Sequence, residues 1–299
     1  MPSLIDIRRR IRSVKNTQQI TKAMKMVSAA KLRRAQERAL SSRPYANMMG
    51  RMLANLAAAA KNDEAIADLP LLQVREEKRI QLIVVSSDRG LAGAFNANLL
   101  RMVQRFIDEH RGAEIYIEAI GRKARDYFRK RSYNLSGEHI GIVERPTYEQ
   151  AREIGDKLIA RYRDSEIDAV YIAGNHFKNV MSPNLVLSKI MPVEMPDSEP
   201  RASASGEQSR APQQAVDYIF EQPPDELLRS LLPRYIEMEI YRAMLESNSA
   251  EHAARMTAMD TASSNAGDVI QTLTLNMNRV RQASITREII EIVSGAAAL

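Results

Sequence analysis

The chain has 299 residues, of which 44% are apolar, 27% charged and 5% aromatic, with a formal net charge of +6. That apolar fraction supports a packed core and excludes global disorder, the length suggests one or two domains, and no run of about 18 apolar residues marks a membrane-spanning helix. Cysteine is absent, which excludes disulfides, thiolate metal sites and thiol nucleophiles.

The positive excess is concentrated at one end. Residues 1–43 carry twelve basic and two acidic groups, a net +10, and the remainder is net −4. Such a patch suits nucleic acid, anionic lipid or an acidic protein surface. The stretch Met1–Asp6 lacks the apolar core and cleavage site of a secretory signal. From Ile7 a 3-4 alternation runs through Ile11, Val14, Gln18, Thr21, Lys25, Ser28, Leu32, Ala35, Ala39, Ser42, Ala46, Met49, Leu53 and Leu56 to Ala60, the seam of a coiled-coil helix. Ser3 with Asp6 three residues on marks its start. Pro44 is expected to bend it, because proline lacks an N–H and crowds the preceding turn.

The period then changes. Strands are expected over 80–86, 114–120, 140–143, 169–173 and 185–193. Helices are expected over 92–110, 121–131 and 148–162. Strands alternating with helices predict a small α/β domain with mostly parallel strands. Residues 195–214, rich in Pro and Ser, read as a linker, ordered or not. Pro224-Asp225-Glu226 opens a second long helix. Its apolar stripe runs Leu228, Leu231, Ile236, Ile240, Met244, Met256, Met259, Val269, Leu273, Asn276, Val280, Ile285, Ile289 and Ile292 with drifting phase, and Pro233 and Gly267 are weak points.

Two long helices leaving one small domain fit an antiparallel pair. At ~1.5 Å per residue they span roughly 85 and 110 Å, so the C-terminal helix should overhang by roughly 20 Å. Gln18, Thr21, Lys25 and Ser28 stand where a dimer seam wants Leu or Ile, so the pair reads as weak and sheathed by other chains. Beyond Glu291 the sequence ends without a charged side chain, either an apolar pin or a frayed terminus.

Catalytic patterns do not emerge. The turn Ser87–Asn96 follows a strand and precedes a helix, as phosphate loops do, but fits neither G-x-G-x-x-G nor G-x-x-x-x-G-K-[ST]. It reads as a strand–helix turn with glycine supplying positive φ. His110, His139, His176 and His252 lie in separate elements without ligand spacing. Glu76 and Glu77 read as solvated loop carboxylates. No catalytic, cofactor or metal residues are assigned. Aromatics for stacking bases are absent before Tyr45, leaving duplex phosphate contact open. Two alternatives therefore remain on these residues: a coiled-coil nucleic-acid-binding protein with an α/β domain, and an α/β enzyme with a helical arm.

Three stretches carry a resemblance: Ile20–Lys31 (ITKAMKMVSAAK), Ser87–Asn96 (SDRGLAGAFN) and Arg281–Ala298 (RQASITREIIEIVSGAAA). Together they resemble the gamma subunit of the F-type (rotary) ATP synthase, bacterial type, over nearly the whole chain, departing mainly at 195–214. The resemblance implies an N-terminal coiled-coil helix (1–60), a Rossmann-like α/β domain (78–195), a linker (196–214) and a foot with C-terminal coiled-coil helix (215–299). It implies a non-catalytic rotor shaft inside three alpha and three beta subunits, with ATP chemistry on the ring. The shaft is turned by a c ring and joined by an epsilon subunit, peripheral on the cytoplasmic face of the inner membrane. No cofactor, nucleic acid or small-molecule substrate is expected. Residue by residue it implies beta-subunit contacts at Met24, Lys25, Arg281, Gln282 and Thr286. A lower beta-facing turn falls at Ser87, Asp88, Arg89 and Gly90. A foot for the c ring and epsilon falls at Asp217, Tyr218, Phe220 and Glu221. The apolar tip includes Ile292, Val293 and Leu299.

Overall fold

The structure, a computed structural model, describes residues 3–59, 69–177, 183–193 and 223–297. The expected linker, the foot residues Asp217, Tyr218, Phe220 and Glu221, and Leu299 lie outside them. The chain forms two compact units, one of residues 1–30 with 255–299 and one of residues 31–254. Helix α1 (Leu4–Ala59) and the last helix, α5 (Pro224–Ala297), each contribute to both.

The first unit is a helix pair. Ser3 caps α1 as expected: its hydroxyl accepts from the Asp6 backbone N–H at 3.2 Å and donates to the Asp6 carboxylate at 2.9 Å. Contacts of residues 18, 21 and 25 with 263, 263 and 260 set an antiparallel register. Carried to Leu4, it leaves about 17 residues of α5 beyond its partner, roughly 25 Å. Consistent with that, every described side chain from Arg281 on is exposed except Ser284. The predicted α1 seam holds: each described position from Ile7 to Leu56 is buried or half-buried. The α5 stripe needs correction. It runs Met259, Ser263, Ala266, Ile270, Leu273, Met277, Val280 without drift. Val269 and Asn276 are exposed, because small residues at 263 and 266 hold the phase that bulky neighbours obscure.

The second unit is built on a five-stranded sheet of order β3-β2-β1-β4-β5. Its strands are β1 (Arg79–Val85), β2 (Glu114–Ile120), β3 (Asn134–His139), β4 (Ala169–Phe177) and β5 (Pro183–Met191). All neighbours are parallel except β4 and β5. Ile80, Leu82 and Val84 face one core with α2 (Phe95–Glu109) and α3 (Arg122–Arg129). Ile83 and Val85 face another with α4 (Tyr148–Arg163) and the segments of α1 and α5 in this unit. The alternation is the period of two that burial on both faces requires. A Thr147–Gln150 capping box starts α4.

The expected strand at 140–143 is absent, and the edge strand lies at 134–139 instead. Its sequence, NLSGEH, is polar because it packs a polar cluster. The Glu118 carboxylate accepts from Ser136 at 2.9 Å and lies 2.7 Å from His139 Nε2. A Cβ at Gly137 would stand 2.0 Å from Glu118 Oε1, so only glycine leaves room for that carboxylate. Both helices run through their internal prolines, Pro44 and Pro233.

Candidate functional site: the helix-pair seam and the β1 turn

The polar seam positions find partners across the pair. Gln18 Nε2 donates to the Ser263 carbonyl at 3.0 Å. The Ser263 hydroxyl lies 2.7 Å from both the Thr21 hydroxyl and the Met259 carbonyl. Gly267 leaves the space that Gln18 fills, since a Cβ there would lie 3.2 Å from Gln18 Nε2. This seam forgoes apolar burial but pins one axial register, because a shifted helix would strand buried polar atoms. Lys25 Nζ lies 2.6 Å from Asp260, a pair 43% and 60% exposed. Lys25 is therefore engaged within its own chain, a partner that sequence spacing could not reveal. Met24 is half-buried, whereas the neighbouring Ile20, Met26 and Val27 are well exposed.

The basic face of α1 is largely open: Arg8, Arg9, Arg10, Arg12, Lys15 and Lys22 are exposed. Lower on the helix, Lys31 pairs with Glu144, and that bond is the main force drawing the Glu144 carboxyl below its usual range. On α5, Arg281, Gln282 and Thr286 are exposed, as are Ile292 and Val293. The Thr286 hydroxyl donates back to the Gln282 carbonyl at 2.9 Å.

The β1 turn divides in two. Ser87 is buried: its N–H donates to Asn96 Oδ1 at 3.1 Å and its hydroxyl to the Arg89 carbonyl at 2.7 Å. The Asp88 carboxylate accepts the N–H groups of Arg122 at 3.0 Å and Gly141 at 3.1 Å, tying three loops together. Arg89, Gly90 and Leu91 form the exposed part. As expected, a glycine of the turn supplies positive φ, Gly93 (φ 55), and Leu91 (φ 65) joins it in the left-handed region.

This turn ends β1, and the strand order reverses between β1 and β4, the place where doubly wound sheets hold nucleotides. Here α5 takes that place. Ser247 donates its hydroxyl hydrogen to the Val85 carbonyl at 3.1 Å, Asn248 bonds the Val143 carbonyl, and Ala250 packs on Ala92 and Phe95. Residues 244–253 of α5 are buried on every side, a burial their small and polar composition does not announce. Among the described residues no three His, Asp or Glu side chains converge as metal ligands. Glu77 is not the solvated carboxylate expected: it accepts from Tyr171 at 2.9 Å and pairs with Lys189 at 2.7 Å.

The first unit is thus an antiparallel helix pair, and the second a Rossmann-like sheet whose crevice is filled by its own segment of α5. The ATP synthase family model matches residues 3–299. The ATP synthase gamma chain of Solibacter usitatus is 58% identical, covering 100% of this chain and 99% of that one. That of Pelotomaculum thermopropionicum is 47% identical, covering 100% of both. Among solved structures, a chain of the Euglena gracilis mitochondrial ATP synthase (OSCP/F1/c-ring) aligns with a TM-score of 0.65 at 17% identity, covering 99% and 94%. A chain of the Tetrahymena thermophila mitochondrial ATP synthase central stalk and c ring aligns at 0.60 and 22% identity, covering 82% and 99%. The chain belongs to the ATP synthase gamma chain family.

Proposed function

We propose that this chain is the central rotor shaft of a proton-translocating ATP synthase. It couples rotation of the c ring to conformational change in the ring of three alpha and three beta subunits, and carries no catalytic residue itself. The observation that carries this reading is the full-length match to gamma chains at 58% identity. The physical features agree with it: a register-locked helix pair suits torsional load, and the open basic and apolar faces of α1 and α5 suit enclosing neighbours. The nucleic-acid reading of the basic face gains nothing from the comparisons.

In this reading Met24, Lys25, Arg281, Gln282 and Thr286 meet beta-subunit loops. Arg89 and Gly90 form the exposed lower contact, held out by Ser87 and Asp88 behind them. Asp217, Tyr218, Phe220 and Glu221 form the foot for the c ring and epsilon subunit. Ile292, Val293 and Leu299 form the tip. The site of action is the cytoplasmic face of the inner membrane, and no described helix is long and apolar enough to cross one. Co-expression with the neighbouring subunits tests it. An ATP-hydrolysing complex should retain the chain, and ATP-driven proton pumping should disappear when the chain is omitted. A pumping complex purified without it would refute the reading.

A further inference from the structure

Within the second unit, α1, α4 and α5 border a groove of about 760 Å³. Each helix sends one arginine into its lining: Arg38, Arg152 and Arg234. All three are exposed. Arg152 has a loose partner, Asp156 at 3.5 Å, with both side chains more than half exposed. Among the described residues no ion pair engages Arg38 or Arg234. Glu237 is the one acid in the lining. It is buried, and its carboxylate accepts the Tyr148 hydroxyl hydrogen at 2.5 Å. Burial, then that bond, push the Tyr148 phenol up to about 12, so the proton stays on the donor and the acid stays capped. The Tyr148 and Tyr241 rings meet edge-on at 6.1 Å and form an aromatic wall.

Three guanidinium groups from three separate elements, facing one capped carboxylate, make a cationic hollow that the described residues neutralise only in part. Planar guanidinium forks match phosphate oxygens in geometry and charge, better than a lysine would. We propose that this groove is an anion site that takes a phosphate-bearing ligand, whether a free phosphate compound or the headgroup of an anionic lipid. None of its lining residues is among those assigned to contacts in the rotor reading.

The test uses the full-length chain, with pyrophosphate as the soluble probe in calorimetry. Flotation with phosphatidylcholine vesicles, with and without phosphatidylglycerol, supplies the lipid arm. The wild type should bind at least one probe saturably, and R38A/R234A should bind it at least about tenfold more weakly. Loss confined to pyrophosphate assigns a soluble ligand; loss confined to the anionic vesicles assigns a headgroup. Wild-type-like binding of both probes by R38A/R234A, or no binding by the wild type, overturns the proposal. If circular dichroism shows R38A/R234A misfolded, E237Q decides. Removal of the groove's negative charge should tighten binding about threefold, and unchanged or weaker binding overturns the proposal.

Discussion

Glu246 is an acid whose burial sets a pH-dependent stability. It lies 3.2 Å from His176 on β4 and 3.9 Å from Arg242 on α5, with Arg43 of α1 and Glu239 of α5 also acting on it. Burial raises its carboxyl from 4.5 to about 7, with Arg242 and Arg43 pulling the other way. The folded chain therefore holds this proton more tightly than the unfolded chain does. The resulting stability is complete below about 4.5 and is lost as pH rises through about 7, a total of about 3 kcal/mol at 1.36 kcal/mol per unit. Glu246→Gln keeps the shape and stays neutral, so its advantage over wild type should be small near pH 4.5 and approach ~3 kcal/mol by pH 8.5. His176 works in the opposite sense. Burial, then Arg242 and Arg43, depress its pKa, so its contribution is lost as pH falls. The difference between wild type and variant, measured at each pH, reports Glu246 together with its coupling to His176. Urea unfolding of the full-length chain followed by circular dichroism at pH 5, 6.5 and 8.5 supplies the numbers. A difference that does not grow with pH, or a variant less stable than wild type at pH 8.5, would refute the reasoning.

The Lys25–Asp260 pair is exposed on both sides and contributes about 0–1 kcal/mol. Lys25→Ala should therefore weaken ATP-driven proton pumping only mildly, whereas Met24→Lys should weaken it more; equal pumping by wild type and Met24→Lys would count against the rotor contact. At the seam, Thr21→Val and Ser263→Ala should each cost about 1 kcal/mol, and a double-mutant cycle should show them coupled rather than additive. Gly121 has φ 96, and an added Cβ would sit 2.5 Å from the Ser86 carbonyl oxygen. Gly121→Ala should lower stability by about 2 kcal/mol or more, read as a fall in melting temperature.

Much of the fold was legible because it is local. The α1 seam, the Ser3 start, the Pro224 start and β2 at 114–120 follow from period, cap and propensity within a few residues. The strand β3 was not legible. Its single large apolar residue, Leu135, gives no period, and its stability comes from Glu118, Ser136 and His139 meeting across the sheet. The phase of α5 was lost for a related reason, since Ser263 and Ala266 mark the seam only when Gln18 and Thr21 stand opposite.

The candidate contacts divide the same way. The family resemblance singled out Met24, Lys25 and the turn Ser87–Gly90, but not what each side chain does. Only the fold turns Ser87 and Asp88 inward to bind Asn96, Arg122 and Gly141, and leaves Arg89 facing out. It likewise brings Arg38, Arg152 and Arg234, separated by 114 and 82 residues along the chain, to one groove. Periodicity and caps depend on neighbours within a turn or two and can be read in one dimension. Hydrogen-bond partners and shared hollows depend on which distant segments meet, so they exist only once the chain has folded.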